Sequence, residues 1–449
     1  MSLNLCQSIE GKKSESQGLQ RQFRSPWNQE ILAEWRDADE MDVIRCLQSS
    51  KKFLALPAGW PREERLALLE RLKAAVEKIA DAGALQEAET QGLPKSFVLE
   101  NSFYFSIRLL EKNIEALKTT ASSGYLHSPS GVVAAISAWC LSFRLVMETL
   151  VPAWAAGNSV IIKISSRSPT TAQILQNLMA EIEAPPGSVH ILLGEGAKVG
   201  AFLAAHPGVR AVSFVGQSKN AESVIKATAA QFKKLRVRGG TKNAAMILPG
   251  FDSEKYLSQV LESFLIGQGQ TGWSMTRLLT TEAEAEKLSE GLKKKLLELR
   301  PAQGPEDPSP WGPLRSPEIQ TQLVKKAMQE HAKKLLPDFN GPTFLLDLPN
   351  CSDLQQEELQ APVFPIVTVK YLHELSKWAN NTSYGQLAVL WGDENKARKV
   401  CEKLEFGGMW LNHWMRAQDQ SPWGLKQSAF GIPDDLAEGP FYSDRKLTI

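Results

Sequence analysis

Glycine-rich turns and scattered thiols are the parts of this chain with chemical promise. Gly194-Glu195-Gly196 and Val215-Gly216-Gln217-Ser218 each follow a short apolar run and open a helical pattern. That placement suits phosphate, because a helix N-terminus offers backbone N–H groups that have no intrahelical partner. Neither turn carries the three spaced glycines of the full dinucleotide fingerprint, so each alone reads equally well as a structural turn. The five cysteines, Cys6, Cys46, Cys140, Cys351 and Cys401, are odd in number, widely spread and never at metal-ligand spacing. They imply neither a disulfide framework nor a zinc site, and a reducing cytoplasm is the address they fit. A thiol attacks only as the thiolate, in an electropositive and accessible setting. Cys140 closely follows an apolar run, where free cysteine ordinarily packs as a small hydrophobe.

The elements that must position these turns alternate. VVAAIS (132–137), a helix over 143–156, SVIIKI (159–164), a helix over 170–183, SVHILLG (188–194), a helix near 197–205 and VRAVSFVG (209–216) follow one another with short connections. This is the signature of a parallel, doubly wound sheet. Ligands of such sheets bind beyond the carboxyl ends of the strands, where both glycine turns fall. Upstream, 61–84 and 96–116 have helical periodicity, with Pro61 and Gly83 as start and stop signals. SSGYLHSPSG (122–131) reads as a loop or short hairpin. Beyond Arg236 come AAMIL (244–248), helices around 253–267, 281–299 and 317–335, and the strands TFLLDL, PIVTVKYL, QLAVLWG and GMWLN with helices at 373–380 and 393–404. These imply a second α/β domain. The N-terminal MSLNLCQSIEGKKSESQ has neither a signal-peptide core nor a transit-peptide pattern and reads as a loose tail.

At 449 residues the chain is longer than one hydrophobic core sustains, so two domains are expected. Hydrophobic residues at 43% and charged residues at 22% place it among globular proteins rather than disordered or membrane chains. Basic and acidic residues number 51 and 50, which removes the electrostatic footprint of a nucleic-acid binder. The apolar stretch 131–162 is broken by Arg144, Glu148, Gly157 and Asn158, so it falls short of the roughly 20 apolar residues of a membrane span.

Several blocks stand in a telling order. They are PSGVVAAISAWC (129–140), Val151-Pro152-Ala153, AAGNSVIIK (155–163), Phe214-Val215-Gly216-Gln217, Gly239-Gly240-Thr241-Lys242-Asn243-Ala244 and Gly269-Gln270 with Arg277. EELQAPV (357–363), ANNTSYG (379–385), GMWLN (408–412) and PWGLKQS (422–428) follow. In this order they closely resemble the aldehyde dehydrogenase superfamily. The resemblance implies an α/β fold of two doubly wound domains plus a small oligomerisation element. It assigns 20–116 and 132–236 to dinucleotide binding, 237–415 to a catalytic-type domain, and 117–131 with 416–449 to oligomerisation. A homodimer or higher homo-oligomer is the implied assembly. Glu262 to Ile266 and Ile432-Pro433 lean toward the succinylglutamate-semialdehyde branch.

Members of this family oxidise aldehydes by thiolate attack, stabilisation of the oxyanion, hydride transfer to nicotinamide and hydrolysis of the thioester. The steps need a soft nucleophile that leaves well, an amide N–H donor and a carboxylate base. The resemblance places all three altered here. Gly272 stands where the nucleophilic cysteine falls, two residues after Gln270 and matched again by counting back from Arg277. A register shift onto Gly267-Gln268 brings Gln270 to that site and leaves Ser274 two residues late, so no thiol returns. Val237, between Arg236 and Arg238, replaces the general base, and Cys140 replaces the oxyanion-binding asparagine. A thiol donates poorly in place of an amide.

The implied cofactor positions are better kept. Trp139, Lys163, Gly216 and Glu358 match the family, whereas Ser166, Gln217 and Gln360 depart from it. With no carboxylate at Ser166 and with Arg167 beside it, NADP is as credible as NAD. Three functions follow as expectations: a pseudoenzyme that keeps the fold and NAD(P) binding, an oxidoreductase acting on a small aldehyde with rearranged residues such as Cys140 or Ser274, and a non-catalytic partner subunit.

Overall fold

The computed structural model describes residues 2–56, 59–119, 125–415, 423–431 and 440–447. Ile432-Pro433 and Pro422, on which parts of the resemblance rest, lie outside the described residues. The chain forms two compact units, Met1–Gln91 with Lys95–Val237 and Phe430–Ile449, and Gly92–Pro94 with Arg238–Ala429.

Seven strands of the first unit's large sheet stand in the order Lys234–Arg238, Ala211–Val215, Val132–Ile136, Ser159–Ile164, Val189–Leu193, Gln7–Ile9 and Lys12–Ser14. Ala211–Val215, Val132–Ile136, Ser159–Ile164 and Val189–Leu193 pair in parallel, as expected. Val132–Ile136, Ser159–Ile164 and Val189–Leu193 are buried at every position. A parallel strand covered on both faces is mostly apolar along its length, which is why these segments do not alternate despite Lys163 and His190 within them. The second unit repeats the plan, with the strands Lys333–Lys334, Thr343–Leu346, Val363–Val369, Arg277–Thr281, Ala244–Ile247, Leu387–Trp391 and Gly408–Leu411 in that order. Only the Lys333–Lys334 edge runs antiparallel.

The N-terminal segment is not a tail. Gln7–Ile9 is a buried strand that pairs antiparallel with Val189–Leu193 and turns back as Lys12–Ser14. The Gln7 amide makes the join specific, accepting from Leu193 N at 2.7 Å and donating to Arg36 O at 2.8 Å. The first long helix also exceeds its expected end, running from Arg62 to Gln91. Gly83 is a packing site rather than a stop: a Cβ there would lie 2.6 Å from the Phe103 ring, itself stacked on Phe143 at 4.4 Å. The next helix is interrupted by a π-turn at Leu99–Tyr104, and Asn101 O within it accepts from Arg144 Nη1 at 3.1 Å. Segment 125–129, expected as loop or hairpin, pairs antiparallel with Ser443–Leu447. Among the described residues no helix is long and apolar enough to cross a membrane.

His190 couples the N-terminal hairpin to acid stability. It is fully buried in Val189–Leu193, and its Nδ1 accepts from Glu10 N at 3.2 Å, which fixes the neutral ring with its proton on Nε2. Burial lowers its pKa from 6.5 to about 4, against the opposing pull of Glu10. The unfolded chain therefore takes the proton first, and stability present above pH 6.5 is lost as pH falls toward 4. The loss attributable to this ring is roughly 3 kcal/mol. His190→Leu is expected to flatten the pH dependence of the urea midpoint across that window, and an unchanged slope would refute the assignment.

Candidate cofactor and catalytic half-sites

In the first unit the parallel register brings the expected cofactor positions to one edge. Ile136 lies opposite both Lys163 and Phe214, and Lys163 lies opposite Leu192. The turns bearing Trp139, Cys140, Ser166, Glu195, Gly216 and Gln217 therefore leave the sheet on the same side, the side where such folds take ligands. Lys163 is 5% exposed, and its Nζ would stand 3.7 Å from a Cβ on Gly196. Among the described residues that ammonium makes no hydrogen bond. Burial lowers its pKa to about 8, while Asp37 and then Glu195 pull the other way. Asp37 is held by Arg21 Nε at 2.8 Å and Trp35 Nε1 at 3.0 Å. At Gly216 a Cβ would come within 2.7 Å of the Phe214 ring, so only glycine keeps that turn closed over its strand. Gln217 is exposed and precedes Ser218–Ala229, whose first turn has no side-chain cap. Ser166 and Arg167 are exposed, and Trp139 is buried.

A buried ammonium beside bare glycine turns and an uncapped helix fits the ribose and phosphate groups of a dinucleotide. Lys163, Gly216 and Gln217 are the residues of this unit that would hold them.

The turn carrying Cys140 is rigidly supported. Leu141 is left-handed at φ 50°, and its N–H donates to Gln91 Oε1 at 2.8 Å. Phe143 N donates to Glu87 Oε1 at 2.7 Å and Arg144 N to Ser102 Oγ at 3.2 Å, so buried side chains satisfy the start of Ser142–Ala155. Glu87 also accepts from Ser102 Oγ at 2.8 Å and Thr171 Oγ1 at 3.2 Å. Burial raises its pKa, and these donors oppose the rise. Cys140 itself is buried, 6% exposed. Val237 is buried in Lys234–Arg238, and its neighbour Arg236 is turned to Glu148 O at 3.1 Å and Tyr442 Oη at 3.2 Å. No carboxylate occupies this stretch of strand.

The second unit holds the loop to which the resemblance assigns the nucleophile. Gly267, Gln268 and Gly269 are all left-handed. A Cβ on Gly267 would overlap Thr271 Cγ2, and one on Gly269 would lie 2.7 Å from Ala361 O, so both glycines are required by shape. Gly272 is not. It is exposed, and the nearest atom to a Cβ there would be Thr241 Cγ2 at 3.8 Å. Asn243 Nδ2 pins the loop by donating to Gly272 O and Ser274 O, each at 2.9 Å. Ser274 is fully buried, its hydroxyl donating to Ile266 O at 2.6 Å and lying 2.8 Å from Thr271 Oγ1. It is a loop staple rather than a displaced nucleophile. Trp273 is buried, and its carbonyl accepts from Trp414 Nε1 at 3.3 Å.

Glu358 is half-buried in this unit and accepts from Gln360 Nε2 at 3.3 Å. Burial pushes its pKa up to about 7, with Gln360 and Lys242 opposing. Lys242 is fully buried and donates to Leu354 O at 2.8 Å; burial and then Arg277 hold its pKa well down. No cluster suited to a metal ion occurs among the described residues. Sequence reasoning missed Asp37, Glu195, Glu87 and Gln91. Glu195 alone stood inside a turn already singled out; the other three serve the site from outside every motif.

A model of the aldehyde dehydrogenase family matches residues 13–446. The chain is 30% identical over 426 residues to 2-aminomuconic semialdehyde dehydrogenase of Bos taurus, covering 86% of this chain and 87% of that protein. It is 27% identical over 440 residues to betaine aldehyde dehydrogenase of Bacillus subtilis strain 168, covering 92% and 90%. Its fold is similar to the crystal structure of betaine aldehyde dehydrogenase from Staphylococcus aureus in complex with NAD+, with a TM-score of 0.89 at 24% identity over 99% of this chain and 94% of that one. A match that begins ahead of the first helix and ends inside the last strand spans both units, and the chain therefore belongs to the aldehyde dehydrogenase family.

Proposed function

We propose that this chain is a catalytically silent member of its family that keeps a dinucleotide-binding half. One observation carries the reading: Gly272 occupies a backbone position with room for a side chain and no conformational need for glycine. Shape does not demand the loss of sulfur there, whereas it does demand Gly267 and Gly269. Val237 and Cys140 remove the base and the amide donor as well, and Ser274 is committed to its own loop. NAD or NADP, when bound, supplies the hydride acceptor of aldehyde oxidation. Lys163, Trp139, Gly216 and Gln217 are the residues of the first unit we assign to holding it. Self-association through the ribbon formed by 125–129 and Ser443–Leu447 belongs to the same proposal.

Purified protein mixed with NAD or NADP and a panel of small aldehydes is expected to produce no reduced cofactor above a blank. The same nucleotides are expected to raise the thermal denaturation midpoint, since a ligand bound only by the native state must stabilise it. Turnover at rates ordinary for enzymes would reject the silent reading. A midpoint unmoved by either nucleotide would reject the binding half.

A further inference from the structure

We propose that Glu195 takes over the task of the carboxylate absent at Ser166, receiving the adenosine-ribose hydroxyls beside Lys163 and making the chain select NAD over NADP. The proposal rests on the cofactor reading above.

Lys163 and Glu195 are brought together by the fold. Lys163 lies in a strand parallel to Val189–Leu193, and Glu195 stands in the turn leaving that strand. The Lys163 ammonium sits beside Gly196, the next residue, at 3.7 Å from where its Cβ would be. Lys163 is only 5% exposed, and its ammonium makes no hydrogen bond among the described residues, so it is available to a ligand oxygen. Two carboxylates act on it, and they differ in availability. Asp37 has a side chain only 9% exposed and is taken up by Arg21 and Trp35. Glu195 is 43% exposed and only loosely held, at 3.5 Å from Arg21 Nη2 and 3.7 Å from Lys198 Nζ.

A vicinal diol donates two hydrogens and accepts from an ammonium, so a carboxylate paired with a lysine matches it at both ends. A 2′-phosphate placed there would bring a doubly charged group against Glu195 and Asp37. Lys198, 69% exposed, and the exposed Arg167 lie in solvent, where screening weakens their compensation. The sequence alone leaves NAD and NADP equal, because Ser166 lacks the carboxylate; the turn of the neighbouring strand restores it.

Calorimetric titration of the full chain with NAD and with NADP tests the idea. The parent chain is expected to bind NAD roughly tenfold or more tightly than NADP. Glu195→Gln is expected to bring the two affinities near parity, chiefly by tightening NADP. Adding Ser166→Glu to that variant is expected to restore the preference, which excludes a general loss of structure. Equal binding by the parent, or a ratio unchanged in Glu195→Gln, overturns the proposal and leaves cofactor binding standing. Binding of neither nucleotide overturns the proposal together with the cofactor reading.

Discussion

If the chain is silent as proposed, Gly272→Cys is expected to give it the ability to take up about one equivalent of acyl group from an activated ester and then stall. Absence of the nucleophile costs roughly four to six powers of ten in rate, so the parent should show no burst at all. The substitution adds a side chain at an exposed site with no atom closer than 3.8 Å to its Cβ, and the loop should accept it without rearrangement. The stall is expected because Val237, at the position that the resemblance assigns to the general base, offers no carboxylate to activate water for the thioester. Cys351 is exposed and would contribute a background thiol, so both chains are compared with Cys351→Ser in place. Release of nitrophenolate and the mass of the intact chain report the outcome. A parent that bursts equally, or a variant that turns over at ordinary rates, would defeat the assignment of these positions.

Removal of the Glu87 carboxylate is expected to be the most damaging single change in the first unit. Glu87→Ala strips acceptors from Phe143 N, Ser102 Oγ and Thr171 Oγ1, all buried. Unsatisfied buried donors and the cavity beside them together cost about 3–5 kcal/mol. Glu87→Gln keeps the Oε1 oxygen for Phe143 N and Thr171 Oγ1, and only the Ser102 hydroxyl must turn to accept from the new amide nitrogen; its cost should be about 1–2 kcal/mol. Urea unfolding at neutral pH measures both. A loss below about 1 kcal/mol for the alanine variant would show that water replaces the carboxylate.

The legible part of the fold was the part with mostly apolar runs between turn residues. Ser159–Ile164 was bounded correctly because its apolar run is closed by Gly157-Asn158 before it and by Ser165-Ser166 after it. Gln7–Ile9 and Gln20–Arg24 were missed: they are short and polar, and pairing rather than composition makes them strands. Arg277–Thr281, a central strand of the second unit, was seen only as an anchor for counting; its terminal threonines hide it from an apolar scan. Gly83 misled because a glycine that admits an aromatic ring is indistinguishable in sequence from one that ends a helix. At the candidate site, Lys163 was named from its block, but Asp37 and Glu195 reach it through strand order, which no local pattern encodes.

The hairpin at the start of the chain also governs how this protein can fail. It covers the margin of Val189–Leu193 and ends the sheet with Lys12 and Lys13, both facing solvent. Charged lysines on an outermost strand oppose the docking of further strands. Loss of residues 7–14 would bare a largely apolar strand with unsatisfied backbone groups, and open-ended fibre-like growth, rather than simple unfolding, is the hazard that this small ribbon holds off.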